Sequence, residues 1–99
     1  MNTIKVHVPN SLLKKKAEEL NIDKQFLTSW HQKKYPTFSL NDAINWANKI
    51  LNPTEQQQKE DEEYLEKLKS NGINIEDMYN HLSLMSPFKE FIDVNNKNN

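Results

Sequence analysis

Three polar side chains near the start of the chain, Thr3, Lys5 and His7, alternate strictly with apolar residues. Such alternation predicts a β-strand with one polar and one apolar face. Hydroxyl, ammonium and imidazole groups can hydrogen-bond to base edges, and a two-stranded ribbon fits the DNA major groove. No second strand is indicated, so we expect this strand to pair with its copy in a dimer, since its backbone groups need partners.

Lysine is unevenly distributed along the 99 residues. Residues 1–51 contain eight lysines and four acidic residues, whereas residues 52–99 contain five lysines and ten acidic residues. A basic half favours a polyanionic partner, and lysines that contact phosphate give affinity without base specificity. Outside the strand, we assign DNA contact to Lys14, Lys15, Lys24, Lys33 and Lys34.

Other chemistry is poorly represented. The chain has no cysteine, and its three histidines, His7, His31 and His81, lack the spacing of a metal site. The consecutive carboxylates of residues 60–63 lie on a polar helical segment, where nothing separates their pKa values for acid–base catalysis. We therefore expect no enzyme activity, no metal and no cofactor.

Helical periodicity and capping residues predict the remaining elements. Asn10 or Ser11 would cap the first helix, which ends at Asn21, and Asp23 would cap a second helix over residues 24–34. Ser39 with Asp42, and Thr54 with Gln57, have capping-box spacing at the starts of the third and fourth helices. Two shorter helices follow Gly72, and the aromatic residues Phe26, Trp30 and Trp46 are expected in the core.

The order of strand, Pro9, helix, Asn21-Ile22-Asp23 and helix resembles the ribbon-helix-helix family of DNA-binding proteins. The resemblance covers residues 3–35, through Thr3–Leu12 and Ala17–Asp23. It implies a mainly α fold in which one N-terminal strand pairs across a dimer. It also implies that Thr3, Lys5 and His7 read bases, and that the start of the second helix, Asp23 to Gln25, holds a phosphate.

The same residues also fit an all-α helix-turn-helix domain. Ala17 would then be the small residue and Asn21 the turn residue of the motif. The apolar anchors would be Ile22, Leu27 and Trp30, and the second helix would enter the groove. The side chains facing DNA in that arrangement would be Lys24, Gln25, Thr28, Ser29 and Gln32. The sequence is compatible with both the ribbon-helix-helix and the helix-turn-helix interpretation.

We divide the chain into a basic DNA-binding domain, residues 1–51, an acidic helical extension, residues 52–94, and a disordered tail, residues 95–99. The extension would serve oligomerisation or bind a protein partner. Its apolar stripe of Tyr64, Leu65 and Leu68 on an otherwise polar helix suits such contact.

Together these features predict a sequence-specific transcriptional regulator, a homodimeric repressor bound to double-stranded DNA. The alternative is an antitoxin or inhibitor whose acidic half binds a protein partner. No run of apolar residues suits a membrane span or a signal peptide. We therefore expect a cytoplasmic protein without a membrane partner.

Overall fold

The fold was analysed in a computed structural model that describes residues 7–97. Within that range the chain is all-helical, with six α-helices and one 3-10 turn. The elements are α1 (Asn10–Leu20), α2 (Lys24–Lys34), α3 (Leu40–Leu51), α4 (Glu55–Ser70), α5 (Ile75–His81), the 3-10 turn (Leu82–Leu84) and α6 (Phe88–Lys97).

Among the described residues, the prediction of a strand that pairs across a dimer is wrong. His7 and Val8 lead into α1 without strand structure, and Thr3 and Lys5 lie outside the described residues. The hydroxyl of Tyr64 accepts a hydrogen bond from the His7 N–H and donates one to the His7 carbonyl, both at 3.0 Å. Because one side chain satisfies both backbone groups, His7 needs no partner strand. The all-α alternative agrees with the described residues.

Local capping sets most helix boundaries. The Asp23 carboxylate accepts a hydrogen bond from the Phe26 N–H at the start of α2. Both predicted capping boxes are confirmed, at the starts of α3 and α4. Asn21 ends α1 in the left-handed conformation, with φ at 59°.

The start of α1 differs from the prediction, because Asn10 is its first helical residue and Pro9 precedes it. The cap comes instead from Asp61 on α4. One carboxylate oxygen accepts from the Asn10 N–H at 2.6 Å and the other from the Ser11 N–H at 2.9 Å. A carboxylate at this position also complements the helix dipole. Asp61 therefore links α4 to the beginning of α1.

The core draws residues from both halves of the sequence. α3 packs against α1 and α2, and α6 packs against the 3-10 turn. One buried cluster joins Leu12, Ala17, Ile22, Leu27, Ala47, Ile50, Leu82 and Phe88. The division at residue 51 stays a prediction, and α6 continues into the segment expected to be a disordered tail.

Candidate interaction surface

Five aromatic rings meet where α2 turns into α3: Trp30, His31, Tyr35, Phe38 and Trp46. We call this cluster the aromatic corner. Trp30 stacks on Trp46 with ring centroids 5.4 Å apart. The His31 ring lies 5.0 Å from both Tyr35 and Trp46, and 5.7 Å from Phe38. These distances are within the range of favourable aromatic contacts.

A proline ends α2 and begins the turn that forms the aromatic corner. Tyr35 precedes Pro36, and a residue before proline avoids the helical conformation, so α2 ends at Lys34. The Phe38 N–H then donates to the Tyr35 carbonyl at 3.1 Å, which turns the chain back on itself. The capping box of Ser39 starts α3. Trp46 follows two turns later and reaches the α2 rings.

The aromatic corner combines buried and half-buried rings with rings that are exposed to solvent. His31 is only 8% exposed, and Trp30 and Trp46 are half-buried. Phe38 and its neighbour Leu40 are each 53% exposed. Tyr35 is 42% exposed. Exposed apolar residues that cluster, unlike scattered ones, mark interaction sites.

A shallow groove adjoins this corner, between the outer face of α2 and the start of α3. Its lining consists of Lys24, Gln25, Thr28, Ser29, Gln32 and Leu40. We call it the α2–α3 groove. The five α2 residues are the ones assigned above to a recognition-helix face, and the structure does bring them together. No aromatic side chain of the described residues lines this groove.

Two buried polar atoms on α2 lack hydrogen-bond partners among the described residues. They are the hydroxyl oxygen of Thr28 and Nδ1 of His31. The residues are three positions apart, so they share one side of the helix. Thr28 belongs to the α2–α3 groove and His31 to the aromatic corner, so this side of α2 connects the two features.

The charge of α2 is uniformly positive. It contains Lys24, Lys33 and Lys34 and no acidic residue. All three lysines are exposed, and none is ion-paired within residues 7–97. Any partner of this helix therefore meets an uncompensated positive field.

A second polar region joins the N-terminal segment to α4. His7 stacks on Tyr64 with ring centroids 4.4 Å apart and an interplanar angle of 8°. Leu68 is buried, and Tyr64 and Leu65 are half-buried. The stripe expected to bind a protein partner thus lies partly within the fold, and its role in partner binding stays a prediction.

A third region joins α1 to α5. Lys16 is buried, donates a hydrogen bond to Glu19 at 2.8 Å, and lies 4.4 Å from the centre of the Tyr79 ring. Lys15 lies 4.9 Å from the same centre. The hydrogen bond from Lys16 is the main reason why the pKa of Glu19 is lowered. Burial is the main reason why the pKa of Tyr79 is raised. This network holds the two helices together.

The other residues assigned to DNA contact are dispersed. Lys14 faces Lys49 and Asp61 in a pocket between α1 and α4. Lys15 lies beside Tyr79, and Thr3 and Lys5 are outside the described residues. Within the described residues, no group of three or more histidine and carboxylate side chains could hold a metal.

The sequence does not indicate that the aromatic corner is a surface feature. Trp30 and Trp46 were expected in the core, and they are half-buried. The available signal was the spacing of His31, Tyr35 and Phe38 around Pro36. It indicates a turn but does not show which rings remain exposed.

Comparison with known proteins identifies a family. Residues 1–81 match the family described as anoctamin, dimerisation domain. No curated protein and no solved structure gives a significant match. Within residues 7–97, no helix combines the length and apolar character needed to cross a bilayer.

This match corrects several predictions. The resemblance to the ribbon-helix-helix family was wrong, and so was the sequence-specific DNA-binding repressor derived from it. The antitoxin alternative is unsupported as well. Double-stranded DNA is therefore withdrawn as a partner. The prediction of a cytoplasmic protein without a membrane partner was also wrong, because anoctamins are membrane proteins.

Proposed function

Because the chain belongs to the anoctamin dimerisation-domain family, we propose that it holds two copies of itself together through the aromatic corner and Leu40. The observation that carries this assignment is the exposed cluster of Tyr35, Phe38 and Leu40 inside the matched residues 1–81. Burial of such an exposed apolar surface against a partner is favourable, because it removes apolar area from water.

The position of this cluster separates it from the other exposed apolar residues. Leu84, Met85 and Val94 are exposed too, but they follow residue 81 and lie outside the match. The exposed rings of Tyr35 and Phe38 also pack on the buried His31, and Tyr35 packs on the half-buried Trp30 as well. These contacts hold the exposed rings in place before a partner arrives. Such preorganisation lowers the entropic cost of association.

The size of a stable interface sets a further requirement. A standard interface buries about 800 Å² on each partner. Two half-exposed aromatic rings and one leucine supply roughly 300 Å² of this area. The remainder must come from the adjoining surface, and the neighbouring outer face of α2 is the nearest source.

The test compares two leucines that differ in position but not in type. Leu40→Ser alters the proposed surface, whereas Leu84→Ser alters an exposed leucine outside it. We expect Leu40→Ser to weaken self-association about tenfold or more, because each copy loses a buried leucine contact. Leu84→Ser should leave the dissociation constant unchanged. Analytical ultracentrifugation over a concentration series measures both.

Two results would contradict the proposal. Equal association of Leu40→Ser and wild type would remove this surface from the interface. A larger loss in Leu84→Ser would move the interface to the end of the molecule formed by the 3-10 turn and α6. Circular dichroism of each variant checks that its helical content is retained.

A further inference from the structure

We propose, on the basis of the proposed self-association, that Phe38 of each copy inserts into the α2–α3 groove of the other copy. The proposal assigns two distinct parts to one surface. Phe38 is the inserting side chain, and the groove beside Leu40 is the receptor. A second copy of this chain is the occupant, because the family match names dimerisation and covers both parts.

The groove is shallow and open, with space beside Leu40 for an aromatic ring. Its lining side chains are short or flexible, such as Ser29, Thr28 and Gln32, and Leu40 forms an apolar wall at the start of α3. Within the described residues no ring of this chain enters it. Phe38 is about half-exposed and packs on Tyr35 and His31 at its base, so its outer edge projects from a fixed position.

Symmetry follows from how close the two parts are. Phe38 precedes Leu40 by two residues, and Leu40 lines the groove. A two-fold axis beside them lets both insertions form in one dimer. A head-to-tail arrangement would leave one Phe38 and one groove unused at each end, and it would continue to add copies. The adjacency therefore favours a closed dimer.

One charged side chain of the groove can contact an inserted ring favourably, even though the α2 lysines of the two copies repel each other. Lys24 is one of the lining residues of the groove and has no ion-pair partner within the described residues. An ammonium group within about 6 Å of a ring face is attracted to it. This chain already uses the interaction between Lys16 and Tyr79. An inserted Phe38 gives Lys24 of the other copy a comparable neighbour.

The test uses two variants with complementary defects. Phe38→Ala removes the inserting ring and leaves the groove intact, whereas Ser29→Trp fills the groove and leaves the ring intact. Both positions are exposed and lie outside the buried core cluster, although Phe38→Ala also removes the ring that packs on His31. We expect each variant alone to lose self-association, by roughly 1,000-fold for Phe38→Ala, since both insertions disappear.

A mixture of the two variants should recover association. The mixed dimer keeps one complete insertion, with Phe38 of the Ser29→Trp chain in the groove of the Phe38→Ala chain. Its dissociation constant should be roughly 30-fold above the wild-type value, the square root of the loss in Phe38→Ala alone. Fluorescent labelling of the Phe38→Ala chain at its amino terminus lets sedimentation velocity follow the mixed species.

The outcomes separate this inference from the proposed function. Wild type that stays monomeric would overturn both. Wild type that dimerises while Ser29→Trp also dimerises would overturn the groove as receptor. Two monomeric variants that remain monomeric when mixed would overturn reciprocal insertion and leave self-association standing. Circular dichroism of both variants confirms that they fold.

Discussion

Replacing Asp61 should destabilise the fold more than replacing any other acidic side chain on α4. Its carboxylate is the only cap that α1 receives from a side chain in the described structure. A charge-assisted hydrogen bond contributes about 1.5–3 kcal/mol when buried, and loss of a helix cap costs about 0.5–2 kcal/mol. Because this helix end is partly open to water, we expect Asp61→Ala to lower the free energy of unfolding by about 2 kcal/mol.

The magnitude translates into a measurable shift. For a domain of this size, 1 kcal/mol lowers the melting temperature by about 4–8 °C, so Asp61→Ala should melt about 10 °C below wild type. Asp61→Asn keeps one acceptor oxygen and should lose about half as much. The measurement is thermal and urea unfolding by circular dichroism, at one protein concentration, because self-association adds stability.

The neighbouring carboxylate provides the control. Glu62 is exposed, and Glu62→Ala should change the unfolding free energy by less than about 0.5 kcal/mol. If Asp61→Ala and Glu62→Ala are equally stable, the link between α4 and the start of α1 contributes nothing. Asp61 would then not be the residue that positions the start of α1.

Two further predictions concern charge. Self-association through α2 brings its unpaired lysines together, so raising the salt concentration from 50 to 500 mM should lower the dissociation constant of the dimer several-fold. Lys34→Gln should reduce that salt dependence, whereas Lys67→Gln on α4 should not. A dimer that weakens as salt is added would contradict the proposed interface. The lowered pKa of Glu19 means that its contribution to stability is present above its ordinary value of 4.5 and is lost as the pH falls through its folded value. Glu19→Gln should therefore flatten the acid side of the stability profile, measured by urea titrations of the variant and the wild type at successive pH values.

Much of the helical framework could be read from local sequence. Asp23, Ser39 and Thr54 each bond to a backbone N–H three residues ahead, and the information for such caps lies within one turn. The boundaries of α2 and α4 follow from these caps and from Pro36 and Gly72.

Contacts between distant residues explain the failures. Tyr64 and Asp61 satisfy backbone groups 50 or more positions away, and nothing in the first ten residues indicates these contacts. The alternation of polar and apolar residues there suggests a strand, because it indicates two different faces. It does not show which groups form hydrogen bonds with the backbone. Secondary structure predicted from the polar and apolar pattern of a short segment is least reliable where a distant side chain hydrogen-bonds to the backbone of that segment.

The candidate surface was hidden for a related reason. Trp30 and Trp46 are 16 positions apart, so their stacking is a property of the fold. The exposure of Phe38 depends on which rings pack beneath it. A self-association surface needs exposed apolar area but has no fixed sequence motif. The basic residues of α2, by contrast, readily suggest nucleic-acid binding when only the sequence is considered.

Sedimentation equilibrium of the wild-type protein is the primary test of self-association through the aromatic corner. The measurement spans loading concentrations from submicromolar to several hundred micromolar at moderate salt. Self-association through the aromatic corner predicts a single monomer–dimer equilibrium that stops at two copies. A monomeric mass at every concentration, or a mass that grows without limit, would contradict it.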